Sequence, residues 1–386
     1  MTTFTPDELA ALQAAGLAVF EGRVIHEAQP PITPEVLAAI QARCAGPVPE
    51  ALIALWSTSF GGRLDYDLSL RLSDTVSAFS FSELFYLESD GYRDLWGWMD
   101  EQLAFESHDG LLHFLPFGGF EYTDRLFVDL RDGSVVAYMR GLPPAWVLRL
   151  HEDATGRVAT DVRDLFRQLA LEDDPYAPTQ EYAHGSEVRA AIDAVGSASA
   201  RDKLHALLRS VVVDWRGALE DGSVSRDERA RRLAWGEVVR SDDVALLDRL
   251  VDLGCSPAEV QGGGGRLLAL DVPVDGALEA GSSVLPLDLC RELAGRGARI
   301  HATAVQSSCR NPDVGASRFL AELLASRDPD ALPGLIRDLR EGAGRQEASA
   351  VRVESGQMGS NWTPARYREL AARMTALADH LRGLGT

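Results

Sequence analysis

The chain has 386 residues, 46% of them hydrophobic and 25% charged, with 35 glycines and 18 prolines, proportions that fit a folded protein and exclude a collagen-like or disordered one. Its length accommodates two domains with ordinary cores. The net charge of −20 argues against a general nucleic-acid binder, because a negative surface repels phosphate and forgoes the counterion release that drives such binding.

Four cysteines, Cys44, Cys255, Cys290 and Cys309, stand too far apart for a C-x-x-C pair, so neither a zinc knuckle nor a disulfide scaffold is expected and a reducing compartment fits best. The segment MTTFTPDELAAL carries no basic stretch followed by an apolar one, and no apolar run reaches the ~18 residues of a membrane span. A cytoplasmic location is the expectation. Residues 1–183 hold 29 acidic and 12 basic side chains, net −17, whereas residues 184–386 hold 29 and 26, net −3. The acidity belongs to the first half, as do 23 of the 28 aromatic residues, and aromatic-rich segments favour sheets.

In chain order, Thr5-Pro6 opens a short helix that Gly16 closes, and Thr33-Pro34 opens a second; each Thr can cap while each Pro wastes no amide hydrogen in the first turn. Pro49 begins a third helix, whose Leu52, Ile53, Leu55 and Trp56 recur at helical spacing until Gly61-Gly62. Strands are predicted at Leu64–Leu72 and Val76–Phe81. A helix carries Tyr92, Leu95, Trp96, Met99 and Leu103 at three- and four-residue steps. Leu126–Leu130, Asp132-Gly133 and Val135–Met139 read as a hairpin, since Asp-Gly tolerates the positive backbone angles of a tight turn. Val162, Leu165, Phe166 and Leu169 give a closing helix.

The expected fold is therefore an α+β domain over residues 1–172 with a mostly antiparallel sheet. A linker over 173–186 follows, within EDDPYAPTQEYAHGS, where acidic residues, prolines and a glycine interrupt the apolar periodicity. Residues 187–386 read as an all-α, solenoid-like domain. Three segments, LLDRLVDLGCS, LCRELAGRGAR and LIRDLREGAGR, form a faint repeat in which Gly254, Gly297 and Gly342 would each end a helix. The helix-Gly-small pattern resembles the end of an ankyrin repeat, although its period exceeds the usual ~33 residues and no T-P-L-H signature occurs.

The search for chemistry finds no strong signature. His151-Glu152 lacks the second histidine of a zinc helix, and His108 and His113 fit neither one helix face nor one strand face. Gly262–Gly265 is followed by Arg266 and not by Lys-Ser or Lys-Thr, so it reads as a loop more than a phosphate cradle. Gly254-Cys255-Ser256 departs from a nucleophile elbow at Pro257 and Ala258. Asn361-Trp362-Thr363 matches a glycosylation sequon but reads as a helix start. No enzyme activity, metal or cofactor is expected.

VPEALIALWSTSFGG at Val48–Gly62 and LLHFLPFGGFEYTDRLFVDLRDGSVVAYM at Leu111–Met139 resemble the SUKH superfamily, the Smi/Knr-type domain. Val48-Pro49 stands where family members enter a helix through a Leu-Pro-like step, and Phe60-Gly61-Gly62 where they turn at Asn-Gly-Gly; Leu115-Pro116, Asp129 and the helix near Asp161–Leu171 also match. Phe60 replaces the usual Asn, and Thr123-Asp124-Arg125 is only loosely similar to the family's Gly-Asp step. The resemblance covers about residues 30–172 and implies binding rather than turnover: bacterial members are widely immunity proteins that neutralise a toxin, often a nuclease. The expected partner is then a cognate, basic protein toxin, with neither nucleic acid nor membrane bound directly. Opposite potentials would speed the encounter. Asp65, Tyr66, Asp67, Glu121, Tyr122 and Asp124 are the candidate partner contacts, because Tyr beside carboxylates offers anchor area and charge together. The alternative is a regulatory scaffold binding other proteins through both halves.

Overall fold

A computed structural model describes residues 3–72, 75–87, 89, 94–105, 109–119, 125–139, 154–177, 184–256, 287–298, 300, 302–310, 314–360 and 362–384. It divides into two compact units, Met1–Val213 and Asp214–Thr386.

The first unit begins with helix α1 (Pro6–Ala14). A capping box starts it: the Thr5 hydroxyl accepts from the Glu8 amide and the Glu8 carboxylate accepts from the Thr5 amide, satisfying two donors that helix geometry leaves orphaned. Gly16 then turns the chain at a φ of 66° into the hairpin β1 (Ala18–Phe20) and β2 (Arg23–Ile25), joined through Glu21 and Gly22. Both turn residues have positive φ, 47° and 76°, the arrangement whose twist matches paired strands. Helices α2 (Pro34–Gln41, capped by Thr33) and α3 (Glu50–Thr58, entered at Pro49) follow. Leu52, Leu55 and Trp56 of α3 are buried, with Trp56 edge-on to Phe60.

Six strands then form one antiparallel meander: β3 (Gly62–Leu72), β4 (Thr75–Leu84), β5 (Phe114–Gly119), β6 (Arg125–Asp129), β7 (Val135–Met139) and β8 (Ala154–Ala159). Helix α4 (Leu95–Phe105) lies between β4 and β5 in the chain. Pro116 interrupts the ladder, and the register between β5 and β6 shifts between Pro116 and Gly118, as a residue without an amide hydrogen requires. The sheet curls so that β3 approaches β8. Helix α5 (Val162–Gln168), capped by Asp161, seals the core: Phe166 meets Phe20 and Phe81 edge-on at 5.0 and 6.2 Å between ring centroids.

Several elements differ from the sequence reading. β1, β2 and β8 were not predicted, because strands of three residues and the glycine-containing ATGRVA have little alternation to read. β6 ends at Asp129 rather than Leu130, so the β6–β7 connection is a five-residue loop, Leu130–Ser134, and Val128 pairs directly with Val135. The Asp132 carboxylate accepts from the Ser134 amide and Gly133 supplies a φ of 78°. Helix α4 starts at Leu95, and Tyr92 lies outside the described residues.

The first unit also extends past residue 172. Helices α6 (Ser186–Asp193) and α7 (Ala198–Ser210) bury Val188, Ile192, Ala200, Leu204 and Leu208 in the same core as Trp56, Leu126 and Phe166. Their apolar faces complete that core, so the compact division falls at Val213/Asp214 rather than within 173–186.

The second unit contains, among its described residues, α8 (Trp215–Glu220), α9 (Glu228–Ser241), α10 (Val244–Asp252), α11 (Leu287–Gly295), α12 (Ala302–Ser308), α13 (Val314–Arg327), α14 (Leu332–Glu354) and α15 (Pro364–Leu384). Gly254 and Gly297 follow α10 and α11 at φ of 85° and 93°, the left-handed stop expected of a helix C-terminus. Gly342 does not end a helix. It sits inside the 23-residue α14, and a Cβ there would collide with the Met374 side chain of α15. The atoms within reach of that Cβ are flexible side-chain ends of Met374 and Arg345, and the third copy of the repeat ends differently from the other two. α14 and α15 run antiparallel, with Arg368 bonding Glu354 and Arg340 bonding Asp379 across the pair.

Candidate functional site

Three of the six predicted contacts lie on β3, and they are not a free surface. Tyr66 is fully buried, and its phenol oxygen accepts from the Val24 amide at 2.9 Å. Burial pushes its pKa up. Asp67 is 4% exposed; its backbone pairs with Ala170 in both directions, and its carboxylate accepts from the Glu172 amide at 2.8 Å and bonds His184 Nδ1 at 2.5 Å. One Asp65 oxygen accepts from the Gly185 and Glu187 amides at 2.7 and 3.2 Å. Asp65 is thus the anionic cap of α6, whose own preceding residue, Gly185, has no side chain to cap with. Tyr66 and Asp67 are thus buried and spent inside the protein, and half-buried Asp65 commits one oxygen to α6: a strand residue whose neighbour segment brings unpaired amides is consumed internally. Glu121, Tyr122 and Asp124 lie outside the described residues, as do His108, the His151-Glu152 pair, the Gly262–Gly265 run and Asn361.

Around this anchor the charges concentrate. Arg63 at the start of β3 bonds Glu187 at 3.1 Å and faces Glu27 and Glu83 at 3.6 Å, while the buried His26 lies 3.9 Å from Glu187. His184 has its pKa raised to about 9, first by the bond to Asp67, against a desolvation that opposes it. Asp65 goes up from its ordinary value because burial outweighs its two amide bonds. Glu187 is half exposed and Glu27 and Asp174 are exposed. Beside the β3 carboxylates the exposed Glu187, whose amide bonds Asp65, shares Arg63 with the exposed Glu27.

A second polar group joins α6 to α7. Tyr176 bonds His205 Nδ1 at 2.7 Å, and His205 Nε2 lies 3.1 Å from Asp193. Burial raises the Tyr176 pKa. Arg189 and Arg209 stack on the same ring at 5.1 and 4.2 Å. Arg125, 2% exposed, is held by Glu101 at 2.9 Å and lies 4.3 Å over Trp98, a paired interior charge of the kind that tolerates burial. His113 sits in an exposed turn, bonded to Asp109.

The first unit also has an open groove of about 930 Å³, lined mainly by apolar groups, among them Phe4, Leu9, Leu12, Leu17 and Val19, with Pro30 and Pro31 on its wall. Its charged lining groups, Glu21 and Arg167, bond each other at 2.9 Å. Among the described residues no group of three or more His, Cys, Asp or Glu side chains is placed to hold a metal ion, and no helix is long and apolar enough to cross a membrane.

Neither a protein-family model, nor a curated protein, nor a solved structure matches this chain.

His184, Tyr176 and His205 were missed by sequence reasoning. Tyr176 and His184 lie in a stretch whose prolines and acidic residues read as linker, and its return onto β3 and onto His205 of α7 brings them to partners.

Proposed function

We propose that this chain is a binding protein of the SUKH immunity type, which neutralises a basic toxin by covering it with its acidic first unit. The observation that carries the reading is the partition of charge: residues 1–213 hold 32 acidic against 16 basic side chains, while residues 214–386 hold 26 against 22. A surface so biased raises the encounter rate with a cationic partner and opposes its phosphate-binding groups. The segments that carry the resemblance support the same reading by their placement: Pro49 enters α3, Gly61-Gly62 turns into β3, and Pro116 and Asp129 lie on adjacent strands. Docking is assigned to the exposed carboxylates Glu27, Asp174 and Glu187 in place of the buried Tyr66 and Asp67 and of Asp65, whose carboxylate caps α6.

Coexpression with proteins encoded by adjacent open reading frames, scored for rescue of growth, tests it. A neighbour that is toxic alone and harmless with this chain is the expected result. Simultaneous Glu27→Lys, Asp174→Lys and Glu187→Lys substitution should weaken the complex and flatten its salt dependence. Rescue and affinity both unchanged by the triple reversal would remove these carboxylates from the mechanism; capture of housekeeping proteins alone, with no toxic neighbour, would favour a regulatory scaffold.

A further inference from the structure

The charges at the open groove of the first unit run against the sign of the unit that carries it. Glu21 is the one carboxylate among its described lining groups, and both of its oxygens are spent: Oε1 accepts from Arg163 at 2.5 Å and Oε2 from Arg167 Nε at 3.0 Å. The Glu21 side chain is 6% exposed, whereas those of Arg163 and Arg167, one turn apart on α5, are 43% and 60% exposed. Solvent therefore meets guanidinium there and hardly any carboxylate. Arg23 adds a third positive charge while donating from Nε and Nη2 to the Leu169 and Arg167 carbonyls at the end of α5. Other carboxylates near in sequence are directed elsewhere. Glu27, one residue before the lining Ala28, faces Arg63 at 3.6 Å, Glu8 of α1 bonds Lys203, and Asp164 of α5 accepts from the Thr160 amide and hydroxyl.

Away from this cationic end the groove is largely apolar, and its volume of about 930 Å³ lies at the upper end of the ~300–1,000 Å³ typical of binding clefts. Leu12 and Leu17 are buried along it, whereas Leu9 is 48% exposed and Pro30 and Pro31 are exposed on its rim. Strand β1 contributes Val19 to the lining. The two-residue turn makes Phe20 and Arg23 a hydrogen-bonded pair, so Val19 and Val24 form the next, non-hydrogen-bonded pair, whose amides and carbonyls point away from the facing strand. On the β2 side the Val24 amide duly donates to the Tyr66 phenol oxygen. On the β1 side the Val19 amide and carbonyl have no partner among the described residues. A chain paired with Val19 would reach the level of Glu21, and of the guanidinium bonded to it, within two residues, about 7 Å.

We infer that this groove is a docking site for the free carboxyl terminus of a partner protein, an extended apolar tail that pairs with Val19 and sets its terminal carboxylate against Arg167 and Arg163. Each part of such a tail meets its chemical complement. The planar guanidinium fork recognises a carboxylate, the strand edge supplies main-chain bonds, and alternate side chains enter the apolar trough. The masking reading plays no part in this inference.

The test titrates the full chain with acetyl-Ser-Val-Ser-Val carrying a free carboxylate, and with the same peptide as its carboxamide. The free acid should bind at least about tenfold more tightly, as a charge-assisted pair predicts, and its advantage should shrink with added salt. Arg167→Gln should remove that advantage and leave the carboxamide's affinity little changed. Leu9→Ser, on the exposed rim, should weaken both peptides by a common factor. Arg163→Gln, which keeps Arg167 on Glu21, should reduce the advantage in part, and it decides the question if Arg167→Gln does not fold by circular dichroism. Saturating free acid should slow Val19 amide exchange by at least about tenfold, and N-methylation of the peptide at alternate residues along its pairing edge should abolish the slowing. Equal affinity for acid and carboxamide, or an advantage that survives both arginine substitutions, overturns the inference, as does unchanged Val19 exchange at saturation. Dodecanoate that displaces the acid peptide while the N-methylated peptide binds equally well would give the groove to a lipid-like anion. Val19 protection that grows with protein concentration alone would give it to a second copy of the chain. Either result overturns the inference too.

Discussion

Tyr66→Phe removes a single oxygen from the centre of the first unit, and its effect separates a structural role from a partner-binding one. The phenol oxygen accepts from the Val24 amide at 2.9 Å, and Tyr66 and Val24 are both fully buried. Phe fills the same ring volume, so no appreciable cavity opens. What changes is that the Val24 amide, pointed away from β1 by the hairpin register, loses its acceptor with no water to replace it. Leaving a buried donor unpaired costs about 1–3 kcal/mol. At roughly 2–4 °C per kcal/mol for a unit of this size, the first unit should melt about 2–12 °C lower. Because the chain has two units, the measurement should be local: amide exchange of residues 18–26 at fixed pH reports the first unit's opening free energy without a two-state assumption for the whole chain. Affinity for a partner should not change once the folded fraction is accounted for. A variant as stable as the parent would refute the claim that Val24 depends on Tyr66, and one that is equally stable but fails to bind would return Tyr66 to the docking surface.

Three further outcomes are expected. His184 titrates at about 9 in the folded state, above its ordinary ~6.5, so the stability from its bond to Asp67 is fully present below pH ~6.5 and lost as pH rises through about 9. Glu8, bonded to Lys203, Ser199 and Thr5, is lowered to about 2, so its contribution is present above ~4.5 and lost as pH falls toward about 2. Thermal scans from pH 2 to 10 should therefore show the first unit declining at both ends, and His184→Gln should abolish the alkaline decline; a decline unchanged in that variant would contradict the assignment. Gly62→Ala should destabilise the first unit by about 2–5 kcal/mol, combining a backbone strained at positive φ with overpacking. Its φ is 140° and a Cβ would fall 2.7 Å from Ile25 Cγ2, and soluble yield together with exchange protection would measure the loss. Finally, all four cysteines are buried and none is in a disulfide, with burial raising Cys44 to about 11 and Cys309 to about 12. A thiol reagent at neutral pH should find all four inert in the folded chain and reactive in denaturant; rapid labelling of the native protein would show an opening this structure does not contain.

The elements that could be read from the chain were those whose cause is local. Thr5-Pro6 and Thr33-Pro34 carry their caps within one turn, and the apolar spacing of Leu52, Leu55 and Trp56 marks a buried helix face whatever lies opposite it. Gly254 and Gly297 stop helices by their own backbone freedom. Gly342 shows the limit of that inference, since a glycine that ends a helix and one inside a long helix look alike in sequence. Asp65, Tyr66 and Asp67 show the same limit at the candidate site. Three polar residues in a row read as surface, and their internal partners are Val24, some forty residues before them, and amides at 172, 185 and 187 far beyond.

Composition and short-range pattern by themselves established an acidic, aromatic-rich α+β half followed by a helical one, because charge count, capping and amphipathic spacing need no knowledge of distant partners. Tertiary structure alone decided that α6 and α7 complete the first core and that the Asp67 carboxylate is spent inside the protein. Each of these turns on which backbone amides find acceptors, and hydrogen-bond satisfaction between segments a hundred residues apart leaves no periodic trace along the chain.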